Sequence, residues 1–591
     1  MQLESGRGVA TVTGGDIPAR LTSRAPVATE RGEPRLLPLC AGGLALLLPV
    51  LTVRVTDDPS FFGRYALLPL EAAVGIPLLW QLRHSSLRRP VVAASVTLIV
   101  CTISTLCSDN AAMSFWGTAY WGAGLLFAFA GVGVWALGAS AGARGALMIE
   151  RAILVGVAIN AIVAVVQMFA DLSKFGLANF GAQPTGLVGQ PVQLGVLLLG
   201  GIWLAGRRDA WGHPTARSVS LVLAAVGIGV CGERAPLLLL PAVAVLAARR
   251  AGVRRLCATL AVVIVGAGFG IGLAHTAPSR DTVTNRFSQG FDNRPRLENY
   301  EGALRAFASR PLVGYGPGRY LTAVSPYRTE SLGRSGPDQY FADAHDWPLQ
   351  WLVTAGAGGA LALGAWLWLS ARRASGPLLG FAATVAVIGL IQPQDLAVTP
   401  LALLALGASV TSTRSLVPRG RVLHALLVAV AAVLAGIILL GGWYGYRAAR
   451  GDAAAARRAA QLLPHWPDRA QVAARLSLSQ PGLSTGDRLR GAVRWAESEV
   501  ARDEHDPRVL GDAGYFELLA NDLDAAQQLF HATLQRNPYS AHAMTGLGLV
   551  EIQRHHLDAA ISWFQKALVL DPHDSLTNQF LDDARSQRGS T

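Results

Sequence analysis

The sequence predicts an all-α protein. It consists of a polytopic bundle of about 12–13 transmembrane helices, a large loop outside the cytoplasm and an α-helical C-terminal domain. Three observations predict this architecture. Of the 591 residues, 51% are hydrophobic and only 15% are charged, a composition typical of proteins with many membrane spans. Apolar segments recur between residues 36 and 443, and the composition then changes to Ala, Arg, Asp, Leu and Gln with an internal repeat.

The N-terminal segment 1–35 is polar and rich in Arg and Gly. It lacks the charged segment followed by an apolar segment that marks a cleaved signal peptide. We therefore expect a flexible cytoplasmic tail that precedes the transmembrane domain, residues 36–443.

Thirteen spans are predicted, because a membrane-spanning helix needs about 20 mostly apolar residues. They are 36–53, 65–82, 91–108, 116–138, 152–170, 190–206, 218–232, 235–248, 253–274, 347–370, 376–392, 396–412 and 422–443.

The arginines predict the orientation, because cytoplasmic loops carry an excess of Arg and Lys. With the N-terminus inside, every cytoplasmic loop is basic, and the short outside loops hold only Arg54, Arg64, Lys174 and Arg234. The loop 275–346 and the C-terminal tail then both lie outside the cytoplasm. The net charge of +12 comes largely from arginines in loops between spans, so no nucleic-acid partner is expected.

The loop 275–346 is the longest polar segment between predicted spans. It ends on His345-Asp346 and carries nine arginines, at positions 280, 286, 294, 296, 305, 310, 319, 328 and 334. Arginine alone is weak evidence for a site, because the chain contains lysine only at positions 174 and 566. Together with a histidine at the membrane surface, however, this loop predicts a site for an anionic, lipid-linked substrate.

Neither a metal site nor a nucleotide loop is predicted here. Asp292, Glu298, Glu301 and Asp343 are spread among the arginines and are expected to form ion pairs, so we expect no metal and no cofactor. The glycine-rich segment 313–320 lacks a P-loop lysine and is expected to be a turn.

The C-terminal segment 444–591 contains a repeat with a period of 34 residues. Gly514, Asp524 and Phe530 recur as Gly548, Asp558 and Phe564. This is the tetratricopeptide pattern, which predicts paired helices stacked into an α-solenoid. We expect this extracytoplasmic domain to dock a protein partner or an acceptor; the alternative is a cap that only adds stability.

Four stretches resemble the superfamily of O-antigen ligases and polymerases, which are membrane glycosyltransferases. They are PTGLVGQPVQLGVLLL (184–199), CGERAPLLLL (231–240), RPRLENYEGALRAFASRPLVGYGPGRY (294–320) and DAHDWPLQWLVTAGAGGALAL (343–363). The resemblance covers about residues 180–412 and implies a GT-C-like membrane fold. This sequence departs from the family pattern at Asp346, where Asn is usual, and at Tyr300, where Trp is usual.

The resemblance implies transfer of a glycan from a polyprenyl diphosphate to an acceptor hydroxyl, in the synthesis of cell-surface polysaccharide. The reaction would take place on the outer face of the bacterial cytoplasmic membrane. Arg234 and Arg296 would stabilise the diphosphate as its charge grows, with Arg286 or Arg294 as a third cation.

The resemblance also implies a role for the histidine. His345 would accept the proton of the attacking hydroxyl or orient it, because a neutral imidazole is available near pH 7. Asp346 or Asp343 would orient the imidazole ring.

Two alternatives to a ligase remain open from the sequence. A polymerase of the same superfamily would join repeat units. A flippase for lipid-linked glycans should place charges at the bilayer midplane and contain a repeated half, whereas here the charges gather on one face. The acceptor is a lipid, a wall polymer, a protein or a growing glycan.

Overall fold

The computed structural model describes residues 36–118, 122–177, 183–207, 211–249, 252–278, 293–336, 339–393, 395–410 and 421–590. The predicted tail 1–35, and Arg286 in the loop, lie outside these residues. Within them the regular structure is helical, apart from an isolated bridge between Ala374 and Val410. The prediction of an all-α protein is confirmed.

Among the residues that the structure describes, seven helices are long and apolar enough to cross a membrane. They are Pro59–Leu82, Arg88–Leu106, Gly142–Phe169, Pro214–Cys231, Val253–Thr276, Trp347–Ala371 and Val422–Ala448. Each coincides with a predicted span, and together they identify a multi-pass membrane protein.

Six shorter apolar helices stand where the other six spans were predicted. They are Leu36–Val50, Leu125–Ser140, Pro191–Gly206, Arg234–Ala248, Pro377–Ile388 and Val398–Ser409. At 1.5 Å per residue, the longest of them, with 16 residues, extends about 24 Å, less than the roughly 30 Å of the hydrocarbon core. Whether these six cross the membrane therefore stays a prediction.

Arg64 was expected in an outside loop, and this was wrong. The helix Pro59–Leu82 begins six residues before the predicted span, because the Asp58 side chain caps it and proline occupies its first turn. Arg64 is thus a buried helical residue. It donates to the backbone carbonyl of Leu48 at 2.7 Å and to that of Leu187 at 2.7 Å. Backbone carbonyls satisfy this buried cation, which a sequence pattern does not reveal.

The helix ends of the bundle form two groups, one on each face, as hydrogen bonds between neighbouring helix ends show. On one face, the side chain of Gln193 donates to the carbonyl of Pro393 at 2.9 Å, and the thiol of Cys231 donates to that of Pro191 at 3.0 Å. On the other, Arg217 donates to the carbonyl of Ala205 at 2.9 Å. This grouping follows the alternation predicted from the sequence. Which face meets the cytoplasm stays a prediction.

The long loop forms its own small helical layer on the first face. Its helices are Arg294–Ser309, Tyr320–Val324 and Glu330–Ser335. The first of them packs through alanines, including Ala303 and Ala306, against Tyr320 and the start of Trp347–Ala371. The loop is therefore seated on the bundle where this last span begins.

Within the described residues 421–590, eight helices follow the last span. They are Ala453–Leu462, Pro467–Leu478, Thr485–Arg502, Pro507–Leu519, Leu523–Arg536, Ala541–Gln553, Leu557–Leu570 and Ser575–Ser590. Trp466 attaches them to the bundle. Its fully buried ring lies 5.1 Å from that of Tyr65, and its Nε1 donates to the carbonyl of Gly117 at 2.8 Å.

Two helix pairs in this region repeat with the period seen in the sequence. Pro507–Leu519 and Leu523–Arg536 are followed 34 residues later by Ala541–Gln553 and Leu557–Leu570. The repeated glycines make room for the repeated phenylalanines. A methyl group on Gly514 would lie 2.7 Å from the Phe530 ring, and one on Gly548 would lie 2.3 Å from the Phe564 ring. Their assignment as tetratricopeptide units stays a prediction.

Candidate functional site

His345 lies immediately before the helix Trp347–Ala371. Its backbone has φ 52°, in the left-handed region, which non-glycine residues rarely adopt. Asp343 holds this conformation: its Oδ1 accepts the backbone N–H of His345 at 2.7 Å and lies 2.7 Å from the ring Nδ1. The side chain of His345 is 30% exposed, so it is both fixed and reachable. Strained residues held in this way cluster at functional sites.

The two candidate carboxylates have different positions. Asp343 contacts the His345 ring, as described. Asp346 caps the helix Trp347–Ala371, because its side chain accepts the backbone N–H of Leu349 at 2.8 Å. Asn and Asp serve about equally well as N-caps. The Asp in place of the usual Asn is thus compatible with this geometry.

A small pocket of about 20 Å³, lined by both polar and apolar residues, opens beside His345. Its wall combines segments far apart in the chain: Thr118, Ala123, Gly318, Ala342, Asp343, Asp346, Trp347, Gln350 and Pro393. The Gln350 side chain accepts the backbone N–H of Ala344 at 2.9 Å, which fixes the segment just before the histidine. The pocket is therefore built by the fold rather than by one loop.

A larger, apolar cavity adjoins this pocket. It has a volume of about 450 Å³ and lies between spans, among residues that include Trp351, Leu363 and Leu406. Trp347 and Pro393 line both spaces. The pocket at His345 therefore adjoins an apolar cavity, an arrangement that suits an amphiphile with a polar head and a hydrocarbon tail.

Arg296 faces the same region from the helix Arg294–Ser309. Burial raises the pKa of the neighbouring Tyr300 hydroxyl, Arg296 acts to lower it, and the carboxylates of Asp346 and Asp343 act to raise it further. Arg296 and both carboxylates therefore lie within electrostatic reach of one hydroxyl. Within the part of the chain that the structure describes, Arg296 has no hydrogen bond or ion pair. It can bind an anion.

The other predicted arginines that the structure describes, Arg294 and Arg234, are not among the residues that line the pocket at His345. Arg294 is exposed at the start of its helix. Arg234 is half-buried and begins the helix Arg234–Ala248, after a turn in which Gly232 has φ 66°. That turn packs on the start of Pro191–Gly206, whose Gln193 contacts the pocket residue Pro393. Arg234 thus lies on the same face as His345, with this helix between them.

Sequence reasoning missed two residues that support the site. Asn299 is buried; its side-chain amide donates to the carbonyl of Asp343 at 3.4 Å and accepts the Tyr320 hydroxyl at 3.0 Å. Burial raises the pKa of Tyr320 well above its usual range, so its hydroxyl stays a donor. The only signal was that Asn299 follows Arg296 by three residues, on the same helical face.

Across the described residues, no group of three or more His, Cys, Asp or Glu side chains is arranged to hold a metal ion. Metal-independent chemistry stays a prediction. The site combines an imidazole beside Asp343, an available guanidinium and a small pocket that adjoins an apolar cavity.

Comparison with known families matches residues 219–364 to the O-antigen ligase family. The matched segment contains Arg234, Arg294, Arg296, Asp343, His345 and Asp346. No curated protein matches the chain. The family implies a role in lipid-linked glycan transfer. Residues 219–364 are therefore an O-antigen ligase family domain, of the membrane glycosyltransferase type, within a multi-helix membrane protein.

Proposed function

We propose that this protein transfers a glycan from a polyprenyl diphosphate to an acceptor hydroxyl on the outer face of the cytoplasmic membrane. One observation carries the proposal. The small pocket at His345 and the apolar cavity of about 450 Å³ share Trp347 and Pro393. A polyprenyl diphosphate has a matching division, with an apolar tail for the cavity and a charged head that would lie outside the pocket, between His345 and Arg296.

In the proposed reaction, His345 is the base. Its Nδ1 lies 2.7 Å from a carboxylate oxygen of Asp343, and we assign Nε2 as the nitrogen that accepts the proton. The acceptor oxygen attacks the anomeric carbon of the glycan and gives its proton to Nε2. The bond between that carbon and the phosphate oxygen breaks, and the electron pair leaves with the polyprenyl diphosphate.

The arginines stabilise the leaving group. Arg296 is the primary cation, since it stands beside the carboxylates of the pocket without an ion pair of its own among the described residues. Arg234 is a second cation on the same face, and Arg294 or Arg286 a third. No metal or cofactor takes part in this proposal.

The proposal is tested by replacing Arg296, Arg234 and His345 one at a time by alanine. Consumption of a polyprenyl-diphosphate-linked glycan is then measured in membranes. Loss of one electrostatic donor costs about 10²–10³ in rate, which we expect for Arg296→Ala. Arg305→Ala is the matched control, because Arg305 lies on the same helix, is 57% exposed and pairs with Glu301. Normal turnover in all three variants at normal protein levels would falsify the mechanism.

A polymerase differs from a ligase only in the acceptor. Product length separates the two: a ligase makes one transfer to a foreign acceptor, whereas a polymerase makes a ladder of glycan lengths from donor alone. We propose a ligase-type reaction because the family description names it.

The C-terminal helices are proposed to be an extracytoplasmic tetratricopeptide domain, residues 444–591. The support is the 34-residue spacing of the helix pairs and the fit of Phe530 and Phe564 beside the repeated glycines. Such repeats bind protein partners, and we propose a protein or acceptor partner here. A pull-down with segment 444–591 fused to a membrane anchor, compared with the anchor alone, tests it.

A further inference from the structure

Arg319 is the most deeply buried arginine of the loop among those described, with 2% of its surface exposed. Three parts of the chain meet at its guanidinium. Its Nε donates to Asp109, which follows the span Arg88–Leu106, at 2.9 Å. Its Nη2 donates to Asp503 of the C-terminal helices at 3.0 Å, and its Nη1 donates to the other oxygen of the same carboxylate.

The guanidinium of Arg319 binds the carboxylate of Asp503 with two N–H donors. A third N–H donor binds the carboxylate of Asp109. Only arginine can do this, because lysine offers a single charged point. The abundance of arginine in this chain therefore does not explain Arg319; its position between two carboxylates does.

Arg319 is linked to the candidate site through its neighbours in the chain. Gly318 lines the pocket at His345. Tyr320 donates to Asn299, which in turn donates to the carbonyl of Asp343. Asp343 then holds His345. A continuous path of covalent and hydrogen bonds thus runs from Asp503 in the C-terminal helices to the backbone of His345.

Other contacts confirm that the C-terminal helices are seated on the loop and on the bundle. The side chain of Asn110 donates to the carbonyl of Arg502 at 2.6 Å. The side chain of Asn537 donates to the hydroxyl of Tyr340, in the loop, at 3.0 Å. Residue Asp503 therefore belongs to a built interface.

We propose that Arg319 is a positioning residue for glycan transfer and that the C-terminal helices, through Asp503, hold the wall of the His345 pocket in place. This part of the chain then does more than dock a partner: the candidate site is incomplete without it. The statement about transfer rests on the proposed function, but the statement about positioning does not.

The test compares Arg319→Ala, Asp503→Asn and the conservative Asp503→Glu with Arg305→Ala, all as full chains in detergent. Backbone hydrogen exchange is followed in segments 314–327 and 341–346. Because breaking a buried ion pair leaves a charge uncompensated, we expect exchange there to accelerate on the order of 10²-fold in Arg319→Ala and Asp503→Asn. Asp503→Glu should recover much of the protection, whereas Arg305→Ala should match the unaltered chain.

A merely structural role would loosen distant regions as well, such as the span Gly142–Phe169 and the helix Leu557–Leu570. We expect these to be unchanged. Exchange in 314–346 at the control level, or equal acceleration throughout the protein, overturns the proposal. If Arg319→Ala does not accumulate, Asp503→Asn decides, since it preserves the shape of the side chain.

Binding of undecaprenyl diphosphate to the same variants separates this proposal from the proposed function. If Asp503 holds the pocket wall in place, Asp503→Asn should bind undecaprenyl diphosphate about tenfold more weakly than the unaltered chain, because the wall is misplaced. Asp503→Glu should restore the binding. If the unaltered chain binds no undecaprenyl diphosphate, the proposed function fails, while the exchange data still decide the role of Arg319.

Discussion

Arg296 and Arg319 belong to the same loop but occupy opposite environments. Arg296 is half-buried, near the pocket, and has no ion pair among the residues the structure describes. Arg319 is buried and neutralised by Asp109 and Asp503. A cation that must bind an anionic ligand has to remain available, whereas a cation that holds a fold has to be compensated. The sequence alone does not distinguish these two environments of arginine.

The largest expected effect is a difference in stability between the variants Arg319→Ala and Arg296→Ala. Arg319→Ala should lower the free energy needed to open segments 314–327 and 341–346 by about 3–5 kcal/mol, because two buried carboxylates lose their partner. Arg296→Ala should change it by less than about 0.5 kcal/mol, as is usual for a side chain without such a network. Hydrogen exchange in these segments of the two purified variants measures the difference. Equal exchange rates would contradict the division of roles.

Trp466 tests whether the C-terminal helices are part of the same folded unit. Trp466→Ala removes a fully buried ring beside Tyr65 and the hydrogen bond to Gly117, and should cost about 3–5 kcal/mol. Trp80→Ala is the control, because Trp80 is 66% exposed on the surface of the bundle. Thermal unfolding should show a clear fall for the first variant alone. Unfolding of the C-terminal helices with the spans unaffected would argue for independent domains.

The two carboxylates beside His345 offer a finer contrast. Asp343→Asn should lower the transfer rate by about 10²–10⁴, the usual contribution of a general base, because Nδ1 loses its ionised partner. Asp346→Asn should leave rate and stability nearly unchanged, since Asn caps the helix equally well. Rates measured with saturating lipid-linked donor decide between them. A large loss for Asp346→Asn would give Asp346 a chemical role.

The smallest expected effect is that of Glu499, a buried residue of the helix Thr485–Arg502. Burial, with Asp512, Asp468 and Asp506 nearby, raises its pKa to about 10. The folded protein therefore keeps it protonated near neutral pH, whereas the unfolded chain ionises it above about pH 4.5. Rising pH thus favours unfolding in this interval.

Glu499→Gln removes that dependence, because an amide does not ionise. Melting temperatures from about pH 5 to pH 9 should fall less steeply in the variant than in the unaltered chain. Glu504→Gln is the control, since the side chain of Glu504 is 74% exposed. Parallel pH profiles for the Glu499 variant and the unaltered chain would show that the carboxyl is solvated.

Much of this organisation was predictable from the sequence. Hydropathy located the thirteen apolar helices that lie among the described residues, of which length and composition qualify seven as candidate spans. The position of His345 just before a span was predictable, whereas its role stays a prediction. The start of the helix at Pro59 was missed, because capping by Asp58 outweighs the polar character of Arg64.

The supporting residues could not be predicted, because their partners are distant in the chain. Asp109, Arg319 and Asp503 meet only in the folded protein, and no local pattern links them. No local pattern predicts that Thr118, Gly318 and Pro393 line the same pocket either. Local composition identifies which residue types are available, and tertiary packing decides which of them face a ligand.

The central claim is that a polyprenyl diphosphate lies with its head at His345 and its tail in the adjoining cavity. A polyprenyl diphosphate with a photoreactive diazirine in its chain tests it directly, with the labelled residues identified by mass spectrometry. The account predicts labelling at Trp351, Leu363 and Leu367, in the cavity, that excess undecaprenyl diphosphate suppresses. Labelling confined to outward-facing residues such as Val265 and Phe269, and insensitive to that competitor, would contradict it.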